Sequence, residues 1–161
     1  MFDEENLLER MHAVLEMMID DGATMRESED GLGFTGGNPE IQVTVASAML
    51  DPRIRNAFVG HFTTNHMLAT VPEEWRGEDL TVLHDRIVQM RRGVVEYLLI
   101  SISRLPHTEE VAPTESAVYT TMAMLLTLDG AWEVGMGTFV AARQTDKTNE
   151  FAKQMLVKYA E

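Results

Sequence analysis

Two stretches of the 161-residue sequence carry residue types at the spacing of known chemical sites. The first reads Gly31-Leu-Gly33-Phe-Thr-Gly36 and so spells G-x-G-x-x-G. In dinucleotide-binding proteins this motif follows a strand and opens a helix, whose N-terminus holds the pyrophosphate. Here residues 27–30 precede it with Glu-Ser-Glu-Asp, which is not strand-like and would repel a pyrophosphate. We therefore predict a mobile Gly-rich loop over residues 21–38 and no cofactor.

The second stretch is Glu9-x-x-His12, with Glu16 one turn further along. This is the local spacing of a carboxylate-bridged di-metal helix. Such a site needs a second Glu-x-x-His and two further glutamates that point inward, and the sequence has no second copy. We expect these three residues to form a solvated acidic face and not a metal site.

Two polar residues, His61 and Asn65, lie inside an apolar helical stripe. A metal-dependent helical-bundle enzyme could combine His61 with His66 or His84 and a carboxylate such as Asp129, and this alternative stays open. However, His61 and His66 are five residues apart and point in different directions on a helix, and no H-x-x-x-H or H-E-x-x-H motif occurs. We interpret His61 and Asn65 as a hydrogen-bonded pair in the core. Asp129 is then a helix-end residue, and no catalytic or metal-binding residue is predicted.

The charge of the chain is large and lies mainly at one end. Twenty-six acidic residues against 13 basic residues give a formal net charge of −13. Residues 1–40 contain 11 acids and 2 bases, residues 41–104 contain seven of each, and residues 105–161 contain eight acids and four bases. An acidic surface repels nucleic acids and anionic membranes, so neither is expected as a direct partner.

The compartment is predicted from what the composition excludes. The sequence has no cysteine, which rules out a disulfide framework and a thiolate metal site. Its first ten residues are acidic and polar, unlike a signal peptide, and the uncharged run at residues 116–128 is too short to span a membrane. We predict a soluble, cytoplasmic protein.

Apolar residues recur at helical spacing along most of the chain, and no convincing strand stands out. The sequence therefore predicts an all-α helical bundle of six or seven helices. The expected helices cover residues 4–20, a segment from Pro39, residues 52–69, residues 80–105 with Asp79 as N-cap, a segment from residue 115, and a last helix with Asp146 as N-cap. Asn38-Pro39 and Asp51-Pro52 each supply a capping residue followed by proline. Gly130 leaves one alternative open, since residues 115–143 form either one helix or two, with the second over 131–143.

The first predicted helix has one apolar side and one acidic side. Its apolar stripe consists of Leu7, Met11, Val14 and Met18, widened by Leu8, Leu15 and Ile19. Glu9, His12 and Glu16 lie on the opposite side. The stripe is wide for a small bundle, and a homodimer would cover it. We divide the chain into this helix with the Gly-rich loop, residues 1–38, and a helical core, residues 39–161, which together make one structural domain.

Two further patterns concern the core. The longest predicted helix carries a continuous seam, formed by Leu80, Leu83, Ile87, Met90, Val94, Tyr97, Leu98, Ile102 and Leu105. Such a seam is typical of the spine of a bundle. The chain also has 12 methionines, which we expect to fill the core rather than to line an interaction groove.

The C-terminal part resembles a tetratricopeptide-like helical hairpin over residues 115–160. The residues that carry the resemblance are Leu128-Asp-Gly-Ala-Trp132, Phe139-Val-Ala-Ala142 and Asp146-Lys-Thr-Asn149-Glu-Phe-Ala152. In that family a glycine ends the first helix and an aromatic residue follows shortly after. Gly135 and Gly137 depart from the pattern, because helix formers are usual at those positions.

A wider resemblance begins at Asp51-Pro-Arg-Ile-Arg-Asn-Ala57 and includes the same hairpin. Residues 50–160 are similar to the C-terminal helical half of an actinobacterial domain family of unknown function, whose members also occur in actinophage genomes. The resemblance implies an actinobacterial or phage origin. It implies no activity.

These observations predict a small acidic protein that is not an enzyme and acts through protein–protein interaction. The resemblance adds a phage origin and a host protein as target. The expected contact residues are the polar side chains of the first helix, namely Glu5, Glu9, His12, Glu16 and Asp20, and the expected partner has a basic or amphipathic surface. The alternatives are a DNA mimic that inhibits a nucleic-acid-binding protein, suggested by the charge of −13, and the metal-dependent enzyme.

Overall fold

The computed structural model describes residues 4–26, 38–63, 73, 77 and 79–159, and for residues 4, 5 and 22–26 the backbone alone. In these ranges the chain is all-helical, with seven α-helices and no strand, which confirms the predicted fold class. The helices are α1 (Glu4–Arg26), α2 (Pro39–Ala48), α3 (Pro52–His61), α4 (Leu80–Arg104), α5 (Ala112–Leu128), α6 (Trp132–Thr145) and α7 (Glu150–Tyr159).

Three helices begin where the sequence predicts, each on an Asx side chain. The Oδ1 atoms of Asn38, Asp51 and Asp79 accept the backbone N–H two residues further on, at 2.9, 3.0 and 2.7 Å. Pro39 and Pro52 follow the first two caps, at a position where a helix has no use for the missing N–H. Local capping chemistry thus sets the starts of α2, α3 and α4.

The third helix is shorter than predicted, because it ends at His61 and not near residue 69. The N–H of Phe62 bonds to the carbonyl of Val59 at 3.1 Å, which tightens the last turn. The N–H and the hydroxyl of Thr63 then both bond to the carbonyl of Gly60, at 3.2 and 3.0 Å. These bonds replace the next helical turn, and residues 64–70 lie outside the described residues.

Residues 112–145 form two helices, which settles the alternative left open at Gly130. Gly130 has a φ of +81°, a backbone conformation that side chains with a Cβ avoid, so α5 ends there and α6 begins at Trp132. The first helix of the pair starts at Ala112, earlier than the predicted residue 115. The two helices pack against each other as a hairpin. Its likeness to a tetratricopeptide hairpin stays a prediction.

The cap of the last helix is Asn149, so the prediction of Asp146 is wrong. Asp146 Oδ1 accepts the N–H and the hydroxyl of Thr148, at 3.0 and 2.6 Å, and so closes a turn before the helix. Asn149 Oδ1 accepts the N–H of Ala152 at 3.0 Å, which is the capping bond.

The main core joins α1 to α5. Its buried members include Met11, Val14 and Met18 from α1 and, from the other helices, Val45, Ala46, Met49, Phe58, Phe62, Tyr97, Leu98, Ile102, Val118, Met122 and Leu125. In the predicted stripe of α1 and the seam of α4, three residues are instead exposed: Leu8 by 51%, Ile19 by 66% and Leu80 by 70%. Leu8 and Ile19 lie at the edge of the α1 stripe that faces away from α2 and α3, and Leu80 is the first residue of α4, beyond the reach of its neighbours. All nine described methionines are buried or half-buried, as predicted.

A second, smaller core lies between α5, α6 and α7. It consists of Ala123, Phe139, Ala142 and Ala152, with Phe151, Met155 and Leu156 packed against it. Close packing here depends on Gly135, because a Cβ at that position would lie 2.6 Å from Thr127 Cγ2. Within the ranges described above, no helix is long and apolar enough to cross a membrane.

Candidate functional site

The outer side of α1 carries the polar residues that the sequence singles out. Glu9, His12, Glu16 and Asp20 are all exposed, while Met11, Val14 and Met18 on the inner side are buried. The side chain of Glu5 lies outside the described residues. We call Glu9, Glu16 and Asp20 the acidic row; His12 lies beside it.

An apolar edge runs alongside the acidic row. Leu8 and Ile19 are 51% and 66% exposed, and they are 11 residues apart on the same helix. Eleven residues are close to three turns, so the two side chains lie about 20° apart around the axis and about 16 Å apart along it. His12 falls between the edge and the row. Sequence reasoning missed this surface because it assigned Leu8 and Ile19 to the buried stripe.

The apolar edge and the acidic row together form what we call the α1 docking surface. This surface combines two exposed apolar side chains with exposed carboxylates. In the described part of the chain no ion pair involves Glu9 or Glu16. Both carboxylates are therefore available to a partner.

The other flank of α1 has its charges compensated within the molecule. Arg10 Nη1 lies 3.5 Å from Asp51 Oδ2 at the start of α3, and Arg53 Nη2 lies 3.2 Å from the same oxygen. The side-chain hydrogen bond from Arg53, then its backbone hydrogen bond, and then the charges of Arg53 and Arg10 hold the pKa of Asp51 below its usual value. The carboxylate of Asp51 on this flank is therefore already paired, unlike those of Glu9 and Glu16.

Hydrogen bonds from Asp21 hold the helix that carries the α1 docking surface against its neighbours. Asp21, buried at the inner side of α1, accepts the N–H of Asn38 at 2.7 Å and the hydroxyl of Tyr97 at 2.8 Å. Burial, followed by the hydrogen bond to Asp21, raises the pKa of Tyr97. These bonds tie α1 to the start of α2 and to α4. A surface held in place in this way loses little conformational entropy when a partner binds.

The residues considered for a metal site do not come together. Asp129 caps the end of α5, as predicted, and its Oδ1 accepts the Nε–H of Arg91, while Arg91 Nη1 donates to the carbonyl of Phe62 at 3.0 Å. His84 is exposed on α4, and His61 is half-buried with its ring edge-on to that of Phe62. Asn65 and His66 lie outside the described residues. Nowhere in the described ranges do three His, Asp or Glu side chains cluster as metal ligands do.

Arg91 is a buried residue that sequence reasoning missed. It is only 2% exposed, and it sits four residues after the buried Ile87 on α4. That spacing places Arg91 on the core-facing side of α4, so the sequence pattern alone could have indicated its burial. A guanidinium there needs a carboxylate and a carbonyl as partners, so the Arg91–Asp129 pair has a structural role.

A second buried polar network holds the C-terminal helices together and was also missed. Asn149 Nδ2 donates to Ser116 Oγ at 2.8 Å and to Thr120 Oγ1 at 2.9 Å. Ser116 Oγ in turn donates to the carbonyl of Ala142 at 2.6 Å. This network joins α5, α6 and α7. It has no nucleophile–base pair, because none of its members is a histidine or an acid.

Comparison of the chain with family models, with curated proteins and with solved structures finds no match. The two resemblances noted from the sequence therefore remain predictions.

Proposed function

We propose that this protein is a non-enzymatic interaction module that binds a basic or amphipathic segment of another protein on its α1 docking surface. The observation that carries the proposal is the exposed pair Leu8 and Ile19 beside the acidic row, on a helix whose inner side is fixed in the core. A partner helix with two apolar side chains about three turns apart and lysine or arginine along one side would match both features.

Electrostatics supports the choice of a basic partner. The first 40 residues carry 11 acids and 2 bases, so the field around α1 is negative well beyond the contact itself. Such a field steers a basic partner toward the surface and raises its association rate, more so at low salt. The apolar edge would then supply the burial that holds the complex together.

The proposal includes the compartment and the origin expected from the sequence. We place the protein in the cytoplasm, the compartment that its composition predicts. The resemblance to actinobacterial and actinophage proteins adds that the partner is a host protein. An actinobacterial lysate is therefore the place to look for it.

Capture from such a lysate tests the proposal with matched variants. One variant removes the acidic row by Glu9→Gln, Glu16→Gln and Asp20→Asn, and a control removes three other exposed acids by Glu96→Gln, Glu109→Gln and Glu110→Gln. Both variants have the same net charge. We expect the native protein and the control to recover the same partner and the row variant to lose it. Equal recovery by both variants would refute the role of α1.

DNA competition separates this proposal from nucleic-acid mimicry. The acidic row is confined to one helix, and residues 41–104 carry seven acids and seven bases, so the charge does not form a phosphate-like array along the molecule. We expect that this protein does not displace its captured partner from duplex DNA. Displacement of the partner from duplex DNA by this protein would instead favour the mimic.

A further inference from the structure

The C-terminal part of the chain carries basic side chains that complement the acidic row of the α1 docking surface. All three lysines of the chain lie near its C-terminus, and with Arg143 they are exposed. Residues 143–159 contain four basic and two acidic side chains, in a protein that is otherwise neutral or acidic. Val157 lies among these cations and is 67% exposed. We call Arg143, Lys147, Lys153, Val157 and Lys158 the basic end.

We propose that a second copy of this chain places its basic end on the α1 docking surface, so that the protein associates with itself through opposite charges. This inference uses the same face of α1 as the proposed function and rests on that face being a docking surface. Two copies related by a two-fold axis would form this contact twice, α1 on the partner's α7 and the reverse, and so close as a dimer.

The dimensions and the available faces fit this pairing. The ten residues of α7 span about 15 Å, and Leu8 and Ile19 are about 16 Å apart on α1. The inner sides of both helices are already used, since Ala152, Phe151 and Leu156 of α7 pack into the second core. The outer sides remain for a contact between copies: that of α1 is acidic, and that of α7 carries Lys153, Lys158 and one acid, Glu150.

Charge selects this arrangement over the other symmetric one. Pairing α1 with α1 of the second copy would cover the apolar edges but would bring two acidic rows together. Pairing α1 with α7 instead brings the acidic row to Lys153, while Lys158, five residues further on, points about 140° away around the helix and lies at the edge of the contact. The repulsion between two molecules of charge −13 acts at longer range and is screened at physiological salt, where the Debye length is about 8 Å, whereas contact pairs are screened less.

Sedimentation equilibrium at physiological salt, with a charge swap, tests the inference. Glu16→Lys alone and Lys153→Glu alone each place like charges at both contacts of the dimer. We expect each single variant to weaken self-association roughly tenfold, from about a factor of three per contact. In an equimolar mixture of the two variants, the substituted positions 16 and 153 face each other with opposite charges at one contact. The other contact keeps the native Glu16 and Lys153, so the mixture restores association. Glu96→Lys, on α4, is the matched control and should change nothing.

Several outcomes would overturn the inference. One is a native protein that stays monomeric at several hundred micromolar, and another is a dimer that Lys153→Glu leaves intact. Stronger self-association of Glu16→Lys would point to the α1–α1 arrangement instead, because that change relieves acidic repulsion. These results are distinct from a failure of the proposed function, which is read from partner capture by the α1 variants and not from self-association.

Discussion

Two regions of this molecule, one around α1 and one around α6 and α7, are packed with different residues. Around α1, Met11, Val14 and Met18 insert large side chains into the main core. Between α5, α6 and α7 the buried core is Phe139 with three alanines, and Gly135 lets α6 approach α5 closely. Both regions leave a charged outer surface, negative on α1 and positive on α7. The difference shows that a helix can be held by side-chain volume or by backbone proximity.

The two modes of packing differ in what they tolerate. A core of large flexible side chains such as methionine adjusts to changes in shape, so single substitutions there are absorbed in part. A close approach at a glycine cannot adjust in this way, because the neighbouring atoms belong to the backbone or to a β-branched side chain. A third kind of contact, the buried Arg91–Asp129 pair, connects α4 with the end of α5. Four substitutions test this comparison, from the largest expected effect to the smallest.

Arg91→Met should be the most damaging of these changes. It leaves the Asp129 carboxylate buried without its cation and removes the donor to the carbonyl of Phe62. Breaking a buried pair on one side costs about 3–5 kcal/mol. Urea unfolding measures the loss, and Arg92→Met, at the exposed neighbouring position, is the control with almost no change. A loss below about 1 kcal/mol for Arg91→Met would show that the pair does not stabilise the contact between α4 and the end of α5.

Tyr97→Phe tests how firmly α1 is held. Asp21 is buried and would lose a hydroxyl donor at 2.8 Å, which should lower the free energy of unfolding by about 2 kcal/mol at pH 8. If α1 were only loosely attached, the variant would unfold like the native protein.

The same substitution has a pH signature. The pKa of Tyr97 is raised in the folded state, so the neutral phenol is the stabilising form. This contribution is complete below the unfolded tyrosine pKa of about 10 and declines as the pH rises above it. Because the variant has no phenol, the stability difference between native protein and variant should narrow between pH 8 and pH 11. A difference that stays constant over that range would contradict the assignment.

Gly135→Ala tests the close approach in the region around α6 and α7. The new Cβ would meet Thr127 Cγ2 at 2.6 Å, and the carbonyl oxygen of Ala123 and the nitrogen of Thr127 at 3.4 Å. We expect a loss of about 1–2 kcal/mol, since overpacking outweighs the gain in helix propensity. Gly137→Ala has no atom within 4 Å of its Cβ and should stabilise by about 0.5–1 kcal/mol.

A rescue makes the Gly135 result specific. Thr127→Ser removes the methyl group that clashes but keeps the hydroxyl, which donates to the carbonyl of Met124 at 2.9 Å. Combined with Gly135→Ala, it should recover most of the lost stability. If the double variant stays destabilised, the loss of stability in Gly135→Ala has a cause other than the contact with Thr127.

Gln42→Met should give a small gain in the main core. Gln42 is fully buried on α2, and neither its amide nitrogen nor its amide oxygen has a hydrogen-bond partner in the part of the chain that the structure describes. Methionine has a similar shape without the unpaired polar atoms, so we expect a gain of about 1 kcal/mol. Gln89→Met, at an exposed position of α4, is the control. A destabilised Gln42→Met would mean that the amide has a partner in solution.

Sequence reasoning succeeded where short-range chemistry decides the structure. The Asx-proline pairs at Asn38 and Asp51 predict helix starts, because the capping bonds lie within two residues. The inner stripe of α1 follows from spacing alone. The sequence allowed either one helix or two over residues 115–143, and the positive φ of Gly130 in the folded chain shows that the helix ends there.

The same reasoning failed where a contact joins distant residues. The burial of Arg91 depends on Asp129, 38 residues away, and the cap at Asn149 is favoured by its bonds to Ser116 and Thr120 on α5. Periodicity likewise assigned Leu8 and Ile19 to the core, since it cannot show how far the neighbouring helices reach. The acidic half of the α1 docking surface could thus be predicted from the sequence, and its apolar half required the fold.

The central claim, that a partner binds the outer side of α1, is tested most directly by photocrosslinking. A photoreactive amino acid at position 12 lies between the acidic row and the apolar edge, and the same group at position 109 lies in the linker before α5. With the partner recovered from lysate, we predict a covalent adduct from position 12 and none from position 109. An adduct from position 109 without one from position 12 would contradict the account.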